Sequence, residues 1–359
     1  MEPQSTRRTF IKRAAAVAAV LPGGSLVAAP SGKIKIGQIG VGHGHASGKM
    51  RVYRASEEFE VVGIVEPNAA LRASAEASAT YRGLRWMTQE ELLNTPGLQA
   101  VAVETEVAGL LDHAEPCIAA GKHLHLDKPA GASLPRFKRL LDNATRQGLT
   151  VQMGYMYRYN PAMVLLKDLL SKGWLGETFE IQTVMGKRSG AAARKNWVGF
   201  SGGGMMFELG CHLIDTIVKI LGRPPEVTSY QRHSSPIPDE LNDNSLAVFA
   251  YPKALVTVRS SVDEVSGFDR RHFVLCGTKG TVHIQPIDSP SVRLVFDEPR
   301  EGYKKGYQEI VFGDYNRYVE DAKDFAKIIR GEKATDYSAE HDYTVQETVL
   351  RASGMPLDA

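Results

Sequence analysis

Two short segments of this 359-residue chain concentrate side chains able to move protons. The first is His123-Leu124-His125-Leu126-Asp127-Lys128-Pro129. The second is Gly202-Gly203-Gly204-Met205-Met206-Phe207-Glu208-Leu209-Gly210-Cys211-His212-Leu213-Ile214-Asp215. Oxidising a secondary alcohol requires a base for the hydroxyl proton while hydride departs. A histidine titrating near neutrality suits that task, and a nearby ammonium stabilises the developing alkoxide. His212 therefore reads as base, Lys128 as electrostatic stabiliser and proton-relay member, and Glu208 as the group that orients the imidazole. On sequence alone the Lys and His roles are interchangeable. Helical spacing sets Glu208, His212 and Asp215 on one face, at i, i+4 and i+7. The glycines before them let backbone approach a ligand closely. The bland alternative is a satisfied core histidine and a surface lysine.

A hydride needs an acceptor, and the N-terminal third offers a place for one. Gly40-Val41-Gly42-His43-Gly44-His45 follows a short apolar strand and precedes a helix. Gly40 permits the tight turn, and Gly42 lets backbone approach a pyrophosphate resting on the helix N-terminus. His45 stands where a third glycine is usual. Glu66 ends the next strand, twenty-two residues after Gly44, where a carboxylate accepts hydrogen bonds from ribose hydroxyls and repels a 2′-phosphate. NAD is thereby favoured over NADP, with Arg72 the nearest base to argue otherwise. His43 and His45 are expected to line the pyrophosphate loop. No metal is expected, because neither His43-x-His45 nor His123-x-His125 has a carboxylate or cysteine partner at ligand spacing. Cys117, Cys211 and Cys276 fit no metal or disulfide pattern.

The elements that must position these groups alternate strand and helix up to about residue 155. Strands are expected at 33–38, 61–65, 100–103, 122–126 and 149–153. Helices are expected at 46–55, 68–81, 112–120 and 134–147. This is an α/β pattern with a doubly wound parallel sheet, and it sets Lys128 at the carboxyl end of a strand. After a helix at 161–172, strands dominate from 178 to 311, including a hairpin at 245–260. Two helices, 315–330 and 339–353, finish the chain. The second half is thus α+β with an open, mainly antiparallel sheet.

The N-terminus reads as a twin-arginine leader over residues 1–29. Arg7, Arg8, Lys12 and Arg13 are basic, Ala14–Val20 is mildly apolar, and Val27-Ala28-Ala29 offers small residues for cleavage. The leader holds four of the 43 basic residues and one of the 41 acidic ones, so the remainder is nearly neutral. That balance gives no argument for nucleic acid or an anionic membrane as partner. The leader predicts export of the folded protein by the twin-arginine translocase to the periplasm, with its cofactor already loaded and held tightly.

Together these motifs, with Tyr155-Met156-Tyr157-Arg158-Tyr159-Asn160-Pro161 between the halves, resemble the Gfo/Idh/MocA oxidoreductase family. The resemblance spans nearly the whole chain after the leader. It implies a Rossmann domain over 33–155 and a substrate-binding and oligomerisation domain over 156–359. Lys128 and His212 match the family's catalytic lysine and histidine, and Glu208 stands at its usual aspartate. The cofactor site would comprise Gly40, Gly42, His43, His45, Glu66, Thr105, Asp127, Lys128 and Pro129. Tyr157, Arg158, Asn160, Trp197 and Asp215 would face substrate. The chain departs from the pattern at Asp127, where the family has glutamate, and at Thr105-Glu106, where it has Thr-Pro. The implied activity is hydride transfer between a sugar, polyol or related hydroxy compound and NAD. One alternative is a redox-neutral glycoside hydrolase or lyase using Glu104, Glu106 or Tyr157 as an extra acid/base. Another is a cofactor-bound binding protein. A homo-oligomer, dimer or tetramer, built on the open sheet face is also implied.

Overall fold

The computed structural model describes residues 32–198 and 203–358. The expected leader and Gly202 lie outside the described residues. The first half contains β1 (Ile34–Ile39), α1 (Ala46–Ala55), β2 (Phe59–Val65), α2 (Ala69–Glu76), α3 (Gln89–Leu93), β3 (Leu98–Val103), α4 (Leu110–Ala119), β4 (His123–Leu126), α5 (Leu134–Arg146) and β5 (Val151–Met153). The five strands are parallel, in the order β2-β1-β3-β4-β5. β1 and β3 are covered on both faces, which explains their near-continuous apolar runs. The order reverses between β1 and β3. Their carboxyl ends therefore border the crevice where doubly wound sheets bind ligands. Gly40 follows β1, Glu104 follows β3 and Asp127 follows β4.

The second half contains α6 (Pro161–Ser171), β6 (Thr178–Gly186), α7 (Ala191–Val198), α8 (Cys211–Leu221), β7 (Glu226–Arg232), β8 (Asn244–Ala250), β9 (Leu255–Ser261), α9 (Gly267–Arg270), β10 (His272–Gly277), β11 (Gly280–Ile284), β12 (Ser291–Phe296), β13 (Gly306–Val311), α10 (Val319–Ile329) and α11 (Ala339–Ala352). Its sheet runs β13-β12-β11-β10-β6-β9-β8-β7. Neighbours are antiparallel except β6 and β9, which are parallel. Leu213 and Ile217 of α8 and Val345 and Val349 of α11 share a buried cluster with Val256 and Val258 of β9. Tyr230, Leu255, Tyr307 and Val311 remain exposed on the strands. Among the described residues no helix is long and apolar enough to cross a membrane.

Three local features depart from the expected pattern. The Ala-rich 68–81 helix ends at Glu76, where the Ser78 hydroxyl takes the Thr80 amide into a local turn. A five-residue π-helix, Met206–Gly210, precedes α8. The helix expected from 315 starts only at Val319, because Tyr318 holds φ at 71°. α10 then packs Ala322, Phe325 and Ala326 against Ile34, Ile36 and Phe59 of the parallel sheet.

Asp321, in the first turn of α10, is buried and its Oδ1 has no partner among the described residues. Burial, partly offset by the Lys49 ammonium, pushes its carboxyl up to about 7. The folded chain therefore holds this proton at pH values where the unfolded chain has lost it. Stability falls as pH rises from the ordinary carboxylate range through about 7. Asp321→Asn is expected to melt at a higher temperature than the parent at pH 8 and to lose less on going from pH 5 to pH 8. Identical melting profiles for the two proteins would refute this account.

Candidate active site

The glycine turn is closed by the chain that follows β3. Gly40 has φ 91°, and a Cβ there would lie 2.5 Å from the Thr105 nitrogen. A Cβ on Gly42 would lie 2.8 Å from Cγ of Glu106, an exposed side chain, whereas Gly44 faces open space. Glu66 accepts from the Val41 amide at 2.8 Å through Oε2 and from the Asn68 amide at 2.8 Å through Oε1. It thus ties the turn to the end of β2, and each carboxylate oxygen retains a further lone pair. The Gly42 and Gly44 amides have no acceptor among the described residues. Free amides, an open Gly44 and a carboxylate at the end of β2 fit a dinucleotide, once the Glu106 side chain swings off Gly42.

Beneath the turn lies a buried cluster centred on Asp127. Its Oδ2 meets His43 Nδ1 and Lys49 Nζ, both at 2.9 Å, and its Oδ1 meets His45 Nδ1 at 3.1 Å. Oδ1 also accepts from the Lys128 amide at 2.7 Å. Lys49 continues to Glu104 Oε1 at 3.1 Å and His125 Nε2 at 2.7 Å. Burial alone would raise the Asp127 pKa, but His43, Lys49 and His45 outweigh it and hold the carboxyl well below its usual range. Burial and the Asp127 charge push Glu104 well up. Burial drives both His45 and His125 down to about 3, so both are neutral near pH 7. Asp127 is thus the carboxylate partner that linear spacing failed to find for His43 and His45. The three offer ligand atoms within 4.8 Å of one another, and the Lys49 ammonium already supplies the countercharge.

Lys128 leaves β4 ahead of a cis bond to Pro129 and reaches the second half. Its Nζ donates to the Glu208 carbonyl at 2.8 Å and to Oε1 of the same residue at 3.3 Å. That carbonyl lies in the π-helical turn and also accepts from Cys211 Sγ at 3.3 Å, and such turns are frequent at functional sites. Burial opposes the Lys128 charge, but Glu208 prevails and the pKa rises. His212, in the first turn of α8, is 1% exposed. Its ring is flanked by Tyr157 at 5.4 Å, His45 at 5.7 Å and Tyr155 at 6.2 Å. Burial, then the Lys128 charge, pushes the imidazole well below its ordinary range, and Nδ1 has no partner among the described residues.

The structure therefore brings Lys128, His212 and Glu208 together but changes one role. Glu208 does not orient His212, because the π-turn takes it off the expected helical stripe and Lys128 claims it. Arg158 and Asp215, expected to face substrate, instead face each other. Arg158 Nη2 lies 2.6 Å from Asp215 and 2.5 Å from Asp342, and His341 lies 3.1 Å from Asp215. Asn160 caps α6 through the Ala162 amide and donates to the Ile287 carbonyl at 2.9 Å. These three residues pin the linking segment to the second half. Tyr157 stays beside His212, donating its hydroxyl to Asp288 at 3.2 Å, and the Trp197 ring lies 4.2 Å from Lys187 Nζ.

Two sequence profiles cover most of the chain. One, described as "Oxidoreductase family, NAD-binding Rossmann fold", matches residues 34–155, and the other, "GFO/IDH/MocA C-terminal domain", matches residues 163–283. The chain belongs to the Gfo/Idh/MocA family. An uncharacterized Escherichia coli oxidoreductase, YhhX, is 27% identical over 57% of this chain and 58% of its own. A Schizosaccharomyces pombe oxidoreductase is 26% identical over 62% and 63%, so the matches span under two thirds of these relatives. The NADP(+)-dependent scyllo-inositol 2-dehydrogenase of Bacillus subtilis is 29% identical over 39% of each chain. Levoglucosan dehydrogenase, solved with NADH and levoglucosan, shares the fold at TM-score 0.77 and 17% identity, over 89% of this chain and 96% of that one.

Lys49 is a site residue the motifs left out. Its position four residues after His45 was the available signal. Lys49→Met would leave Asp127 and Glu104 buried without their ammonium. A loss of about 3 kcal/mol in unfolding free energy is expected. The loss should deepen as pH rises, because unpaired buried carboxyls keep protons that the unfolded chain releases. Denaturant melts at pH 5 and pH 8 check both magnitude and direction.

Proposed function

We propose that this chain is an NAD(P)-dependent oxidoreductase of a sugar, polyol or related hydroxy compound. The observation that carries the reading is the neutral, buried His212, with Nδ1 unpartnered, set beside a charged Lys128 at the carboxyl edge of the parallel sheet. A bound nicotinamide supplies the hydride acceptor or donor. With its proton on Nε2, His212 presents Nδ1 as acceptor for a substrate hydroxyl proton. Lys128, held by Glu208, stabilises the negative oxygen that results. Tyr155 and Tyr157 shut water from the imidazole. Glu66 favours NAD over NADP, since its carboxylate would repel a 2′-phosphate.

The redox-neutral alternative draws support from the Tyr157–Asp288 pair, a second proton donor beside His212. Glu104 is committed to Lys49, and Glu106 lies at Gly42. NADH accumulating with product marks net oxidation. A substrate cleaved with no net NADH marks the alternative. The sequence of the leader supports export through the twin-arginine pathway, which cell fractionation of the wild type against an Arg7→Lys/Arg8→Lys variant tests. The exposed apolar side chains of the second sheet support a homo-oligomer, which sedimentation tests.

Denaturing the purified protein and weighing the released nucleotide comes first. Stoichiometric NAD(H), absent from a Gly42→Trp variant, is expected, and failure to hold or bind any nicotinamide dinucleotide refutes the reading. His212→Asn and Lys128→Met are each expected to lower kcat by about 10²–10⁴-fold while nucleotide binding persists. Turnover unchanged by both would return His212 to the status of a core histidine.

A further inference from the structure

The side of His212 facing β6 and β10 carries more positive charge than the proton chemistry uses. Lys128 and Arg271 are buried, at 1% and 3% exposure. Arg317 joins them from the chain before α10. Two carboxylates answer these three cations. Glu208 takes Lys128, and Asp288 alone serves Arg271 at 2.9 Å and Arg317 at 3.6 Å.

Lys187, directly after β6, is a fourth cation, and among the described residues no acid pairs with it. Its backbone is fixed between the Ser261 carbonyl and the Glu264 amide. Its half-buried ammonium has no hydrogen-bond or ion-pair acceptor among the described residues, and only the Trp197 ring lies against it, at 4.2 Å. Glu264, whose amide donates to the Lys187 carbonyl, is bound to Arg270 through both oxygens. Burial opposes the Lys187 charge, Glu208 favours it, and Lys128 and Arg271 repel it, leaving a pKa of about 8. Among the described residues, His212 Nδ1 and Glu208 Oε2 are buried polar atoms without partners. An unmatched, partly desolvated cation is costly unless something anionic arrives.

Resting on the reading that the hydroxy substrate reacts at Lys128 and His212, we propose that this substrate carries an anionic group, carboxylate or phosphate, seated against Lys187 and Arg271 beside the Trp197 ring. Lys187 is then a specificity residue, because a neutral sugar leaves its charge unanswered.

Calorimetric titration of the full protein, saturated with NADH, decides the matter. The ligands are D-glucose, D-glucuronate and D-glucose 6-phosphate. At least one anion is expected to bind about tenfold or more tighter than glucose. Glucuronate in front identifies a carboxylate, and the phosphate ester in front identifies a phosphate. Lys187→Gln should weaken the anion about tenfold and glucose far less, and Lys187→Arg should restore the preference. With the wild type, raising salt from low to high ionic strength should weaken the anion only. Glucose binding as tightly as both anions, binding of none of the three, or a preference untouched by Lys187→Gln and by salt overturns the proposal. Nucleotide binding read in parallel separates the two ideas. An intact anion preference in a protein that neither holds nor binds a nicotinamide dinucleotide sinks the oxidoreductase reading and leaves this one standing.

Discussion

The Asp127 carboxylate is the interaction on which the rest of the site depends. It is a single buried charge at the end of β4, set against His43, His45 and Lys49, and it accepts from the Lys128 amide. Through His43 and His45 it fixes the glycine turn after β1. Through Lys49 it fixes the first turns of α1 and, beyond them, Glu104 at the end of β3. Through the Lys128 amide it sets the backbone from which that side chain departs. Three strand ends of the parallel sheet are therefore held by one acid. A buried ion is favourable only while its partners remain complete, so the cradle for a dinucleotide and the placing of Lys128 stand or fall together.

The second constraint is the seam between the two sheets. Arg158 lies between Asp215 of α8 and Asp342 of α11, with the Tyr337 ring 3.8 Å from its guanidinium. Gln346 of α11 bonds the Ala130 amide and the Gly131 carbonyl, just past the cis bond. The last helix thus grips both the loop that carries Lys128 and the helix that carries His212. Two residues eighty-four positions apart in the chain are brought to one place by a third element.

Much of this was legible in the residues. The five parallel strands announce themselves as short apolar runs, since both faces are covered, and glycines 121, 148 and 173 mark helix ends by adopting positive φ. Lys128 and His212 were legible because a strand end and a glycine-rich turn fix where they fall. The roles of Glu208, Arg158, Asn160 and Asp215 were not. A π-turn breaks the i, i+4 register without any sequence mark, and only the tertiary fold brings Asp215 and Asp342, from α8 and α11, to the one Arg158 guanidinium. Lys187 and Arg271 were invisible for a similar reason. Their strands are neighbours through sheet pairing alone, and a lone cation has meaning only when its missing partner is seen.

Tyr318 leans its ring on Gly48 of α1, where a Cβ would come within 2.7 Å of the ring edge. The same ring stands 5.6 Å from His45 and 5.8 Å from the Lys49 ammonium. A Cβ at position 48 would press on that ring, so any larger residue there pushes Tyr318 away from His45 and Lys49. The missing side chain on α1 is thus what lets a tyrosine from the far end of the chain wall off the Lys49 ammonium.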